Sequence, residues 1–126
     1  MTTYTTGEAT EEGCLFCRII RGEVPSDPVL ATEHTYAFRD IQPAAPVHVL
    51  VVPKRHIVNA GTVVDSDAAE VTALLLAARA VAEAEGIAGP DRGYRLVFNV
   101  GPDAINSVDH LHLHVLGGRT FEWPPG

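Results

Sequence analysis

The chain has 126 residues, 46% of them hydrophobic and 20% charged, and a formal net charge of -7. That length suits one ordinary domain with a single core. An acidic balance argues against a sequence-independent nucleic-acid binder, which needs Lys and Arg to neutralise phosphates, and no apolar run is long enough to span a membrane.

The chain opens with a polar, acidic stretch that has no signal-peptide core. Residues 1–12 read as a mobile tail, residues 13–126 as a single domain, and the expected compartment is the cytoplasm. Cys14 and Cys17 form a C-x-x-C pair. Without a secretory signal a structural disulfide is not expected. A redox pair would follow a strand, and here only polar tail precedes it. The pair reads either as half of a zinc site that needs two further ligands or as two small residues packed under a short helix.

Leu15 to Arg21, followed by Gly22, predicts a short helix closed by glycine. Val29 to Thr32 and Tyr36 to Arg39 predict two strands joined in a hairpin around Glu33 and His34. Ile41 to Pro46 reads as a loop. Val47 to Val52 is an apolar run of strand length ended by Pro53, as expected of a central strand buried on both faces. Asp65 to Glu85 is the clearest helix, with Asp67 and Glu70 spaced as a capping box. Val71, Leu74, Leu75, Ala78, Val81 and Ala82 recur at helical spacing as its apolar face. Tyr94 to Asn99 predicts another strand, and residues 99–107 a loop rich in turn formers. One long helix among several short strands favours an α+β domain with a largely antiparallel sheet.

The most informative stretch comes last. His110, His112 and His114 alternate with Leu111, Leu113 and Val115, the two-residue period of a half-buried strand. Such a strand turns the imidazoles to one face and the aliphatic groups to the other. A row of imidazoles can titrate near neutral pH, act as a nucleophile and hold phosphate oxygens. His110 and His114 would stand roughly 13 Å apart along a strand, too far for all three to share one metal. If the preceding loop reverses the chain, Asn99 and Ser107 come to lie beside the row.

The segment His110-Leu-His-Leu-His114-Val115-Leu116 resembles the signature of the histidine triad (HIT) family, three histidines alternating with apolar residues. The likeness extends over nearly the whole chain. It takes in Leu15 to Ile20 with Gly22 to Pro25, Ala37 to Ile41 with Pro46 and His48, and Val51 to His56. The ending, Gly117-Gly118-Arg119 to Trp123-Pro124-Pro125-Gly126, is similar to the nucleotide-binding (Hint) branch in particular.

The resemblance implies a five-stranded antiparallel sheet with one long and one short helix, joined across a homodimer into a ten-stranded sheet. It implies hydrolysis of the P–N bond of purine nucleoside 5'-phosphoramidates through a nucleotidyl-histidine intermediate, with no cofactor required for the chemistry. By position, His112 would be the nucleophile, and His114, Ser107 and Asn99 would contact the phosphate. Asp40 would accept the ribose hydroxyls, and Leu15, Phe16, Ile19, Phe38 and Ile41 would line the base pocket. His48 and His110 would sit behind the nucleophile and orient it. Trp123, in a C-terminal segment expected to reach the partner's site, counts with the nucleotide-binding residues. Some relatives hold a structural zinc, which here would use Cys14, Cys17, His48 and His110. The expected partners are a purine nucleoside monophosphate or phosphoramidate and a second copy of the chain, with no nucleic-acid polymer and no membrane. A dinucleoside polyphosphate hydrolase or nucleotidyl transferase using the same triad, and a nucleotide-responsive interaction module, are the alternatives. Ile105, Asn106 and Asp109 depart from the common pattern and bear on turnover and leaving-group preference.

Overall fold

The computed structural model describes residues 13–126; the expected N-terminal tail lies outside them. Five strands form one antiparallel sheet: β1 (Pro28–Ala31), β2 (Thr35–Arg39), β3 (Val47–Pro53), β4 (Tyr94–Val97) and β5 (Leu113–Gly117). They are ordered β1-β2-β3-β5-β4. Helix α1 (Leu15–Ile20) and helix α2 (Ala68–Ala84) complete the α+β fold expected from the sequence. No helix among the described residues is long and apolar enough to cross a membrane.

The two helices cover opposite faces of the sheet. Leu74, Ala78, Val81 and Ala82 of α2 pack with Val49, Val51, Leu113 and Val115. Phe16, Cys17 and Ile20 of α1 pack with Tyr36, Phe38, Leu50 and Val52. β3 is therefore buried on both sides, which is why its sequence is a continuous apolar run and not an alternating one. Helix α1 ends at Ile20, with Arg21 as its C-cap. Gly22 takes a φ of 83°, and the N–H groups of Gly22 and Glu23 reach back to the carbonyls of Ile19 and Arg18, the glycine stop expected from the sequence.

Four details differ from the sequence reading. The Asp67–Glu70 capping box is absent. Asp67 accepts from the Val64 N–H and pairs with Arg55, and Glu70 also pairs with Arg55, so both carboxylates tie the turn after β3 to the start of α2. Leu75 is 47% exposed, and Ala77 takes its place on the buried face. β4 stops at Val97, two residues short of the expected end.

The fourth difference concerns the histidines. β5 begins at Leu113, so only His114 of the three lies in the ladder. β3 supplies the reason. Its pairing with β5 runs from Val47↔Gly117 to Val51↔Leu113; two residues further lies Pro53, which has no N–H to give. The chain parts from β3 there. The Leu111 N–H donates to the Ile57 carbonyl at 2.6 Å, and the Pro53 carbonyl faces His110 Nε2 at 2.8 Å. The alternation of faces survives, because Leu111, Leu113 and Val115 all join the core beneath α2.

Candidate functional site

On the α1 face of the sheet, a cavity of about 370 Å³ runs from Leu15, Phe16 and Ile19, past Phe38, Asp40 and Ile41, to Ser107, His112 and His114. The structure thus brings together most of the residues singled out in the sequence. Asn99 also arrives, its side-chain amide 3.4 Å from His114 Nε2. Trp123 does not line the cavity of its own chain and is 82% exposed. Val24, Ser26, Leu50 and Val108 line it as well; they carry no chemical signature by which a sequence could mark them. His34 sits in the hairpin turn, exposed and away from the cavity.

The imidazoles are held in defined tautomers. His112 Nδ1 lies 2.7 Å from the His110 carbonyl oxygen. A carbonyl only accepts, so Nδ1 carries the proton and Nε2 keeps its lone pair. That is the form a nucleophilic imidazole needs. Phe16 meets the His112 ring edge-on at 5.2 Å and fixes its plane.

A second chain of bonds orders His114. The Ala44 N–H donates to His48 Nδ1 at 3.0 Å. His48 Nε2 must then bear the proton, which it gives to His114 Nδ1 at 2.8 Å, leaving the N–H of His114 on Nε2. The neighbouring Asn99 Nδ2, 3.4 Å away, is itself a donor, so that Nε2–H is left to donate into the cavity. His114 is pushed down to about 4, chiefly by burial and then by its imidazole neighbours His112 and His48, against a smaller opposing effect of Asp40. Burial also lowers His48, against Asp40 at 3.4 Å. Both rings are neutral at pH 7. Asp40 Oδ1 accepts from the Gln42 N–H at 2.9 Å, which fixes its carboxylate at the cavity wall. Asp40, His48 and His114 are close enough to share a metal, but a metal on His48 Nε2 would require the proton on Nδ1, where the Ala44 N–H already points. The hydrogen bond runs from His48 to His114, and the Asp40 carboxylate stands 3.4 Å from His48 Nε2 as a nearby charge.

The geometry changes two expectations. His48 orders His114 and not His112, and His110 orders His112 through its backbone carbonyl and not its ring. The His110 ring instead turns to the cysteines: its Nδ1 is 3.3 Å from Cys14 Sγ and 3.4 Å from Cys17 Sγ. The fourth member of that group is His56, with Nδ1 3.3 Å from Cys17 Sγ. His48 lies in the other cluster. The expected ligand set Cys14, Cys17, His48 and His110 is therefore replaced by Cys14, Cys17, His56 and His110. His56 follows Lys54 and Arg55 directly after β3, and only the long-range contact of that turn with Leu111 brings it to the cysteines; nothing local in the sequence marks it.

The donor set fits a zinc ion. Bonds of about 2.3 Å to sulfur and 2.0–2.1 Å to nitrogen in a tetrahedron separate S and N by roughly 3.5 Å, close to the spacings found here. His110 gives its Nε2–H to the Pro53 carbonyl, so its Nδ1 lone pair faces the sulfurs. That second hydrogen bond is usual for a metal-binding histidine. Burial holds the His110 imidazole down, to about 4, which keeps the ring neutral.

The loop before the triad turns at Ile105, whose φ of 57° is the left-handed region. Asn106, next in line, keeps its side-chain oxygen buried without a partner among the described residues.

A model of the HIT domain matches residues 21–121. The chain belongs to the HIT domain family. It is 45% identical over 115 residues to an uncharacterized HIT-like protein of Synechococcus elongatus, covering 91% of this chain and 98% of that protein. Among solved structures, a HIT family hydrolase from Legionella pneumophila superposes with a TM-score of 0.85 at 47% identity, covering 90% of this chain and 99% of that one. A HIT family hydrolase from Clostridium thermocellum gives 0.85 at 46% identity, covering 90% and 96%. The five-stranded α+β HIT fold of this chain is thus that of HIT family hydrolases.

Proposed function

We propose that this HIT protein is a nucleotide-binding hydrolase that cleaves the P–N bond of purine nucleoside 5'-phosphoramidates, with the specificity of the Hint branch. The observation that carries the reading is the 2.7 Å contact between His112 Nδ1 and the His110 carbonyl, which puts the proton of the neutral ring on Nδ1 and makes Nε2 the nitrogen able to attack.

In this reading the base lies against Leu15, Phe16, Ile19, Phe38 and Ile41, and the ribose hydroxyls donate to Asp40. His112 Nε2 attacks the α-phosphorus; the P–N bond breaks, and the nitrogen leaves as an amine with a proton taken up from solvent. Water then attacks the nucleotidyl-histidine, releases the nucleoside monophosphate and restores the imidazole. His114 is neutral at working pH, so it serves as a fixed hydrogen-bond donor to a phosphoryl oxygen, with Ser107 and Asn99 beside it. No cofactor enters these steps.

Cys14, Cys17, His56 and His110 would hold a structural zinc. Bound there, the ion would tie the N-terminus of α1, and with it the base pocket, to the segment that carries His110 and His112. The thiols are free, in keeping with a cytoplasmic setting. We further propose a homodimer. β4 is an open edge of the sheet, and Leu96, Val100 and Leu75 are 41%, 44% and 47% exposed; pairing of β4 with its copy would cover that edge and give ten strands.

The test is a rapid quench with labelled adenosine phosphoramidate. The reading requires an acid-labile nucleotidyl adduct on His112. Turnover of diadenosine polyphosphates in its absence would move the activity to the P–O bond.

A further inference from the structure

A second cavity of about 450 Å³ lies where β4 starts and the chain leaves β5, lined by Asp91, Arg92, Arg95, Arg119 and Phe121 among others. Its charge is unlike that of the rest of the molecule. The chain carries a net -7, and Arg18, Arg21, Arg39, Arg55 and Arg79 each face a carboxylate. Arg92, Arg95 and Arg119 make no ion pair among the described residues, and Asp91, though in the cavity wall, is not within ion-pair distance of them. The Arg95 guanidinium lies 5.0 Å and the Arg119 guanidinium 4.4 Å from the centre of the Phe121 ring. Their hydrogen bonds go to backbone carbonyls, Arg95 to Glu122 and Arg119 to Thr120 and Ala44. Two cations on one aromatic ring, with a third beside them, repel one another until an anion is present. Arginine forks are the side chains best shaped to take a carboxylate or phosphate.

Position connects this cavity to the chemistry. Arg95 pairs across from Leu116, and His114 from Val97. Residues opposed across strands share a face, so Arg95 stands on the same face as His114, one diagonal step of roughly 7–8 Å away. The nucleotide cavity reaches His114 from the β2 side; the arginines approach from β4.

We propose that Arg92, Arg95 and Arg119 form an anion subsite for the leaving group of the substrate. The inference rests on the hydrolase reading above and adds to it that the preferred leaving group carries a negative charge. Two sources share that chemistry, an amine bearing a carboxylate and a leaving group bearing phosphate.

The test is calorimetric binding to the full chain carrying His112→Asn, which does not depend on turnover. The ligands are an adenosine phosphoramidate of a neutral amine, the same compound with a carboxylate on the amine, and diadenosine tetraphosphate. At low salt at least one charged ligand binds about tenfold or more tighter than the neutral one, the scale of a charge-assisted hydrogen bond; which one does so names the source. Adding Arg95→Gln and Arg119→Gln brings that ratio close to one, whereas adding Arg79→Gln, the loss of a guanidinium on α2 away from the cavity, leaves it in place. Equal affinity for all three ligands, or a preference that survives loss of both arginines, overturns the subsite. The hydrolase reading fails separately, by absence of P–N turnover in the unsubstituted chain.

Discussion

Acidification should unfold this protein earlier than its carboxylates alone would dictate, and His114 is the residue that shows it. Its imidazole moves from the ordinary 6.5 to about 4 in the folded chain, because it is buried beside His112 and His48. Between those values the unfolded chain holds a proton on this ring and the folded chain does not. Unfolding therefore takes up a proton, and stability falls as pH falls from 6.5 toward 4. Linkage gives about 2 kcal/mol lost between pH 7 and pH 5, and partial exposure of the ring to solvent brings this to between about 1 and 2 kcal/mol. The assay is urea unfolding of chelator-treated protein at pH 7 and pH 5, for the native chain and for His114→Asn. With a urea slope of about 1–3 kcal/mol per molar, the native midpoint should drop by roughly 0.5–1 M more than that of the variant. His110 shifts in the same direction but is present in both chains and cancels. Equal drops in the two proteins would refute the reasoning.

Three further outcomes follow from the same geometry. His56→Asn should weaken zinc binding by roughly 100-fold or more while His48→Asn keeps about one ion per chain by elemental analysis; the reverse pattern would restore the ligand set read from the sequence. Leu96→Glu places a charge on the open edge of β4 and should convert a dimer into a monomer in sedimentation, and a native chain that is already monomeric at micromolar concentration would contradict the proposed assembly. Ile105→Gly removes a side chain from a left-handed residue at 83% exposure; relief of about 1–2 kcal/mol less the entropy cost of glycine should raise Tm by roughly 3 °C, and a lower Tm would show that the Ile105 side chain is stabilising in place.

The fold could be read largely from local pattern. The apolar run of Val47 to Val52, the helical spacing of Leu74, Ala78, Val81 and Ala82, and the glycine after α1 each report a force that acts within a few residues. What stayed hidden depends on distant partners. Asp67 does stand at the N-cap position of α2, but its carboxylate goes to Arg55 and the Val64 N–H and not to the helix. The histidine strand begins late because Pro53, nearly sixty residues upstream, cannot donate to it. The candidate site shows the same division. The alternating histidines, Asp40 and the α1 residues could be placed by pattern and resemblance. That His48 faces His114, and that His56 stands at the cysteines in its stead, depends on how β3 and the turn after it are laid against β5. The arginine cluster is also scattered in sequence, and gathers only where β4 starts and the chain leaves β5.

The central claim is that His112 is the nucleophile, its Nδ1–H held by the His110 carbonyl so that Nε2 is the attacking nitrogen. Mass spectrometry of protein quenched during turnover of an adenosine phosphoramidate tests it most directly. The account predicts a nucleotidyl group on His112 in the native chain, and neither adduct nor turnover in His112→Asn. An adduct on another residue, or near-native turnover by that variant, would contradict it.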